Sequence, residues 1–484
     1  MMDEIIYKLG CFRETNNIKN QPDVNTVETL REIDRNIMSW SDTVHYQDNP
    51  IIVDHCHGEI ITDLQGNNYI DTQMWHSSCN FGYRNMEIEK GLRHQLDQLP
   101  QVSGDFLHAE KLLLAKEVEN AIFERTGLHG RISFNVGGTL VVEDALKIVR
   151  HHTGKSKVAA FMGAYHGRSL TVSGLSSSHR YRQPFGEFPY RAEQFAFPDP
   201  ADCYYELPED QSQSDYYARM ITKRFENDFY GLATDEDQEL GAFFLELCQG
   251  RGYTIPPLDF YQKFVPQLQQ RGMLMVDDEI QIGMFRTGKL FAFEHFNIKP
   301  DIITLSKSFS NGLSPVSLVW ARSDLVSPDK FGPGHAHSNF ANHSLGTAAA
   351  LATWKYMLSQ NYETTIPQKG NYYLSRLQEL KKKYWFIGSV DGLGLLLNMV
   401  FQHPDGRPLK GLGKVAVTLA QDNDYFYQGR PYRLILNAGG LSCEGLKLAP
   451  YLDISYAEID RTVALLDQVL MKLATYLQTR GGDA

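Results

Sequence analysis

Lys307 closes an apolar run. Ile302-Ile303-Thr304-Leu305 leads through Ser306 to the lysine, and Ser308-Phe309-Ser310-Asn311-Gly312 follows. The run predicts a short buried strand and the Ser/Asn/Gly stretch a loop. A lysine at a strand end can lose its proton by desolvation and act as a nucleophilic amine. Alone, it is more simply a surface lysine just past a strand. About thirty residues upstream, Met273-Leu274-Met275-Val276 runs into Asp277-Asp278-Glu279-Ile280-Gln281. Acids hard against an apolar run need a partner if buried. A single acid there is also a good helix cap. Two acids, Gln281, Gly283 and a lysine on the next strand make a constellation.

Pyridoxal phosphate (PLP) needs such a pair. A lysine forms the Schiff base, and an acid keeps the pyridine nitrogen protonated so that the ring accepts electrons. Asp277 and Asp278 are adjacent, so a continuing strand turns them to opposite faces. Only one can reach a ring.

A phosphate site is legible further upstream. Arg131–Asn135 reads as a strand, Val136-Gly137-Gly138-Thr139 as a turn, and a helix with Val142, Ala145, Leu146 and Val149 on one face runs to Gly154. A Gly-rich turn into a helix N-terminus offers free N–H groups to a phosphate, although such turns are common in α/β folds. The strand Val158–Met162 ends in Tyr165-His166-Gly167-Arg168, where an aromatic can stack on a ring or simply pack a loop. Phe243-Phe244-Leu245 ends in Glu246, with Gln249-Gly250 behind it.

The run from Val276 to Phe296, containing Asp278-Glu279-Ile280-Gln281 and Arg286-Thr287-Gly288-Lys289, resembles the signature of class III (omega-type) PLP-dependent aminotransferases. The likeness extends from about Asn68 to the C-terminal helix and is strongest over 131–351. It implies PLP fold type I, with a mainly parallel seven-stranded sheet in a large domain and a smaller α/β domain built from N- and C-terminal segments. It implies Lys307 as the Schiff-base lysine and Asp278 as the acid on the pyridine nitrogen. It places Gly137, Gly138 and Thr139 at the phosphate, Tyr165 over the ring and His166 behind it. Glu246 then faces the pocket, and Gln281 approaches the ring's phenolic oxygen. In His337-Ser338-Asn339-Phe340, Asn339 stands where the family has a threonine that reaches the partner's phosphate, with Ser338 as a second candidate. In Lys447-Leu448-Ala449-Pro450, Lys447 stands where many members have an arginine that grips a substrate carboxylate. Lysine is a point charge and cannot reproduce that fork. Trp75 and His76 fall in a segment that lines the site's mouth in relatives; Trp75 is equally readable as core at a domain interface. No His/Cys spacing around His76 suits a metal.

The elements that must position these residues follow from pattern. The chain has 484 residues, 42% hydrophobic and 22% charged, which exceeds one simple core. We divide it into an N-terminal arm with part of a small domain (1–95), a large cofactor-binding domain (96–350) and the rest of the small domain (351–484). A helix is expected around Val27–Trp40, a hairpin over 50–72, alternating strands and helices over 109–351, and a last helix at Ser455–Thr479. Residues 198–237 read as a surface excursion with a helix near Tyr216–Phe229. The net charge of −11 argues against a nucleic-acid surface. No apolar run is long enough to span a membrane. The first residues lack a signal-peptide pattern. Six dispersed cysteines read as reduced thiols, which suits the cytoplasm. The expected function is transfer of an amino group from an amine or amino acid to a keto acid or aldehyde. PLP-dependent lyase, racemase or aminomutase chemistry is the alternative. A homodimer with shared sites is expected.

Overall fold

The computed structural model describes residues 24–42, 44, 47, 50–186, 191–233, 239–336 and 338–479. Cys11 and His337 lie outside these residues, as does most of the N-terminal arm. The first helix, Val24–Ile37, begins and ends three residues before its expected span.

Strands β1 (Val53–His57), β2 (Ile60–Asp63) and β3 (Asn68–Asp71) form an antiparallel meander, one strand more than the hairpin expected over 50–72. Its tight turn is held by Asp63, whose carboxylate accepts from the backbone of Gln65 and Asn67, both at 2.9 Å.

Seven strands follow: β4 (Gly130–Asn135), β5 (Lys157–Phe161), β6 (Glu193–Phe195), β7 (Leu240–Leu245), β8 (Leu274–Asp278), β9 (Ile302–Leu305) and β10 (Ser317–Arg322). They form one sheet in the order β4-β10-β9-β8-β7-β5-β6. Only β10 is antiparallel to its neighbours. The mainly parallel seven-stranded sheet is therefore as expected. Its central strands are buried on both faces, as a layer covered by helices on each side must be. All the parallel strands point their carboxyl ends to one edge, and ligands bind at that edge in such folds.

Six strands complete the chain: β11 (Ile387–Leu393), β12 (Leu396–Phe401), β13 (Tyr425–Tyr427), β14 (Arg430–Ile435), β15 (Asn437–Gly439) and β16 (Gly445–Leu448). β14 pairs parallel with β3, so N- and C-terminal segments share one five-stranded sheet. Strands β11, β12, β16 and β15 form a four-stranded sheet. The last helix is Tyr456–Thr479.

Arg286 fastens these parts together. It is fully buried, and its guanidinium donates to the carbonyls of Leu395 (3.1 Å) and Pro450 (2.6 Å) and to the Asn80 side chain. One side chain from the turns after β8 thus reaches both terminal segments.

The excursion departs from expectation. Its helix is Gln213–Thr222, earlier and shorter than the span near Tyr216–Phe229. Ser212 caps it by accepting from Asp215 N at 3.1 Å. At the other end, Thr222 bonds back to Ala218 O, and the chain tightens into 3-10 turns at Lys223–Phe225 and Asp228–Tyr230. Among the described residues, no helix is long and apolar enough to cross a membrane.

Candidate active site

A cavity of about 180 Å³ opens at the carboxyl edge of the large sheet, lined among others by Gly138, Thr139, Tyr165, His166, Glu246, Asp278, Gln281 and Lys307. These residues come from the ends of five different strands or the turns that follow them. The sheet gathers them because successive parallel strands deliver their exits to one edge.

At one end of the cavity the helix Gly138–Thr153 begins. Its N-cap is Gly137, which offers no side chain to the first N–H groups. Ser317, at the start of β10, instead accepts from Gly137 N at 3.0 Å and fixes the turn. An uncapped helix start beside the Thr139 hydroxyl suits a phosphate.

Asp278 lies across the cavity. Its Oδ2 accepts from His166 Nδ1 at 2.8 Å, and its Oδ1 accepts from Thr304 Oγ1 and Ile280 N, both at 3.2 Å. Burial opposes a charged imidazole at His166, but the Asp278 hydrogen bond and charge outweigh it and raise His166 above its ordinary range. Asp277 does not line the cavity. It is fully buried, and burial with the neighbouring Glu279 raises it strongly, so it is held as a neutral acid. The two adjacent aspartates thus serve opposite faces of β8.

Lys307 follows β9 with a left-handed φ of 47°, a strained conformation for a residue with a Cβ. Burial lowers its amine to about 8, against the pull of Asp278 and Glu246. Glu246 accepts from Tyr165 N (2.8 Å) and Gly250 N (3.2 Å), so this buried carboxylate is satisfied by backbone. Tyr165 leaves its ring over the cavity, with the Arg168 guanidinium 5.6 Å from the ring centre. Gln281 donates to Tyr253 OH at 3.0 Å. At Gly250 a Cβ would fall 2.5 Å from Gln281 Oε1 and 2.9 Å from Glu246 Oε1, so a larger residue would push both side chains from their places.

The residues fit PLP on their own chemistry. They provide a helix start without a side-chain cap beside Thr139, an amine of lowered basicity, a hydrogen-bonded acid opposite, and an aromatic wall.

Trp75, His76 and Lys447 are not among the residues that line this cavity, although the Lys307 charge is felt at both His76 and Lys447. Trp75 is 57% exposed, so the reading of it as core is overturned. It sits on a left-handed turn, Met74–Ser77, with φ values of 44°, 51°, 53° and 64°. Such backbone costs about 1–2 kcal/mol per residue. Asp71 holds it from beneath, accepting from Gln73 N and Met74 N at 2.9 Å, Trp75 N at 3.3 Å and Tyr83 OH at 2.7 Å. Lys447 is buried, donates to Gly250 O at 3.0 Å and lies 5.0 Å from the Tyr253 ring centre. Ser338 and Asn339 are outside the cavity lining, in a loop whose neighbour His335 accepts from Lys147 at 3.4 Å.

Sequence reasoning missed Tyr253, Asn437, Ser306 and Ile280. Tyr253 lies three residues past Gly250, and Ile280 and Ser306 sit within motifs already singled out. Asn437 has no local signal.

Comparison with known proteins agrees. The family described as aminotransferase class-III matches residues 43–470. An acetylornithine aminotransferase of Methanothermobacter thermautotrophicus is 27% identical over 77% of this chain and 85% of its own. A probable 4-aminobutyrate aminotransferase of Bacillus subtilis is 30% identical over 72% of this chain and 78% of its own. An alanine/serine racemase of Pyrococcus horikoshii is 26% identical over 88% and 87%. Among solved structures, an (S)-enantioselective omega-transaminase of Thermomicrobium roseum superposes with a TM-score of 0.81 at 20% identity, covering 92% of this chain and 98% of that one. A PLP-bound amine transaminase from an uncultivated Pseudomonas species gives 0.78 at 21%, covering 90% and 98%.

Proposed function

Because the chain belongs to the class-III aminotransferases and is a PLP-dependent enzyme, we propose that Lys307 is both its covalent anchor and its proton carrier. When bound, PLP supplies an electron sink and stores the amino group between two half-reactions. The chain's own residues do the rest. Lys307 would anchor the cofactor, and its amine would carry a proton at the substrate carbon. Asp278 keeps the pyridine nitrogen protonated, and His166 orients that carboxylate. Gly137, Gly138 and Thr139 hold the phosphate. Tyr165 would pack against the ring, Gln281 would serve its oxygen, and Glu246 braces the Tyr165 turn. Trp75, His76 and Lys447 meet the substrate. The observation that carries this reading is the single cavity joining Lys307 to the Asp278–His166 pair.

Similarity to a racemase supports a second reading, in which no amino acceptor is consumed. A donor amine supplied without acceptor separates the two. An aminotransferase stops after about one carbonyl product per site and shifts its absorbance to the amine form of the cofactor. Sustained turnover without acceptor would favour racemase, lyase or mutase chemistry.

The enzyme works as a homodimer with shared sites in this reading. Exposed Phe106, Leu107 and Phe340 support it, because contiguous apolar surface marks an interface. Asn342 binds their two loops together through Ser103 O (2.8 Å) and Phe106 O (2.6 Å). Ser338 and Asn339 would then serve the partner's phosphate. An inactive Lys307→Ala chain mixed with a chain carrying Ser338→Ala and Asn339→Ala tests this. With free exchange, one intact site forms in each mixed dimer, and about a quarter of wild-type activity returns. Activity that stays at parental level despite proven exchange rejects sharing. We place the enzyme in the cytoplasm, in keeping with the free thiols of Cys56, Cys79, Cys203, Cys248 and Cys443.

A further inference from the structure

The loop 250–253 is pinned at its base by Gln249 and Thr254, whose backbones exchange hydrogen bonds at 3.0 and 3.3 Å. Its last residue, Tyr253, is fully buried and has a φ of 52°. A bulky side chain in the left-handed region is an outlier that its surroundings must hold in place. The holders come from late in the chain. Asn398 on β12 donates to Tyr253 O at 2.9 Å. Lys447 on β16 donates to Gly250 O at 3.0 Å, with its ammonium 5.0 Å from the tyrosine ring centre. Arg251 donates in turn to Gly440 O at 3.1 Å and to Leu441 O at 2.5 Å.

This loop grips Gln281 at both ends of its amide. Nε2 donates to the Tyr253 hydroxyl at 3.0 Å. Oε1 lies so close to Gly250 that a Cβ there would fall 2.5 Å from it. The amide is therefore left little freedom to turn. Its nitrogen carries two hydrogens. One goes to Tyr253, and among the described residues the second has no protein acceptor. Gln281 lines the cavity and Tyr253 does not. Burial raises the Tyr253 hydroxyl above its ordinary range, against the pull of Arg286, so it stays neutral at working pH.

We propose that Tyr253 is a positioning residue for amino transfer: its hydroxyl holds the Gln281 amide so that the second N–H is presented to the ring oxygen of PLP. This rests on the proposed role of Gln281 at that oxygen. Tyr253 touches neither cofactor nor substrate and acts only through the glutamine. Without the hydroxyl, the nitrogen end of the amide loses its seat, and the glutamine is free to turn away from the cavity.

The test reads the pH at which the absorbance of the bound cofactor changes in the resting holoenzyme. That change reports loss of a proton beside the ring oxygen. A donor on the oxygen favours its unshared negative charge and so lowers the midpoint. Gln281→Leu should raise the midpoint by about one to two pH units, the scale of a hydrogen bond to a charged group. Tyr253→Phe, which removes the hydroxyl alone, should raise it in the same direction by about half a unit or more. The double variant should match Gln281→Leu, because no amide is left to aim. A midpoint unmoved in Tyr253→Phe, or a tyrosine effect of equal size with and without Gln281, overturns the proposal. No shift in Gln281→Leu overturns both the proposal and the role of Gln281 at the ring oxygen. Should Tyr253→Phe fail to load with PLP, Asn398→Ala, which frees the same tyrosine at its carbonyl, carries the comparison. A rise that vanishes in the Gln281→Leu background supports the proposal, and no rise overturns it.

Discussion

A Lys307→Ala enzyme should turn over no substrate, with a loss of at least about 10⁴-fold, because one amine supplies both the anchor and the proton transfer. It should still bind PLP through phosphate and ring contacts, more loosely and without a covalent link. Borohydride treatment followed by mass analysis of the protein decides the point. A reduced protein–cofactor link in the alanine enzyme would move the anchor elsewhere, and Lys447, the other lysine buried at the site, would be the first to check. The same amine predicts a pH dependence in the wild type. Burial lowers Lys307 to about 8, and only the neutral amine attacks a carbonyl. Capture of PLP by the cofactor-free protein should therefore accelerate as pH rises and level off above about 8. A rate that kept climbing toward pH 10.5 would mean that the lysine is not desolvated.

Asp278→Asn should cost on the order of 10³-fold in single-turnover rate, the scale of losing an electrostatic contact aimed at developing charge. An amide cannot keep the pyridine nitrogen protonated, and it also breaks the charge pairing with His166 at 2.8 Å. Asp277→Asn should change the rate by less than about tenfold. That side chain is held as a neutral acid on the opposite face of β8, so an amide of the same shape replaces it with little change. The reverse ranking in the same assay would put the strand register off by one residue.

Much of the site was legible because its chemistry is local to strand ends. Lys307, Asp278, Glu246, Tyr165 and Gly138 each follow an apolar run by a few residues, and parallel strands bring such exits to one edge. The mouth was less legible. Met74–Ser77 contains no glycine or asparagine to announce left-handed backbone. The turn exists because the Asp71 carboxylate gathers three successive N–H groups, which no periodicity encodes. Asn437 meets His76 across 361 residues of sequence, through a parallel pairing of β3 with β14. The excursion helix was misplaced because a cap at Ser212 outweighed the apolar pattern further on.

That parallel pairing also sets a clock for biosynthesis. β3 emerges from the ribosome long before its partner, since Tyr69 and Arg433 are 364 residues apart. At about 5–20 residues per second, the wait is roughly 20 to 70 seconds. Throughout it, Arg286 lacks the carbonyl of Pro450, and the Asp71 turn lacks the Ile435 carbonyl that receives Thr72 N. The large sheet can form first and offer a phosphate cradle while the mouth is still unmade. Every residue that lines the cavity is therefore synthesised before the strand that completes the N-terminal sheet.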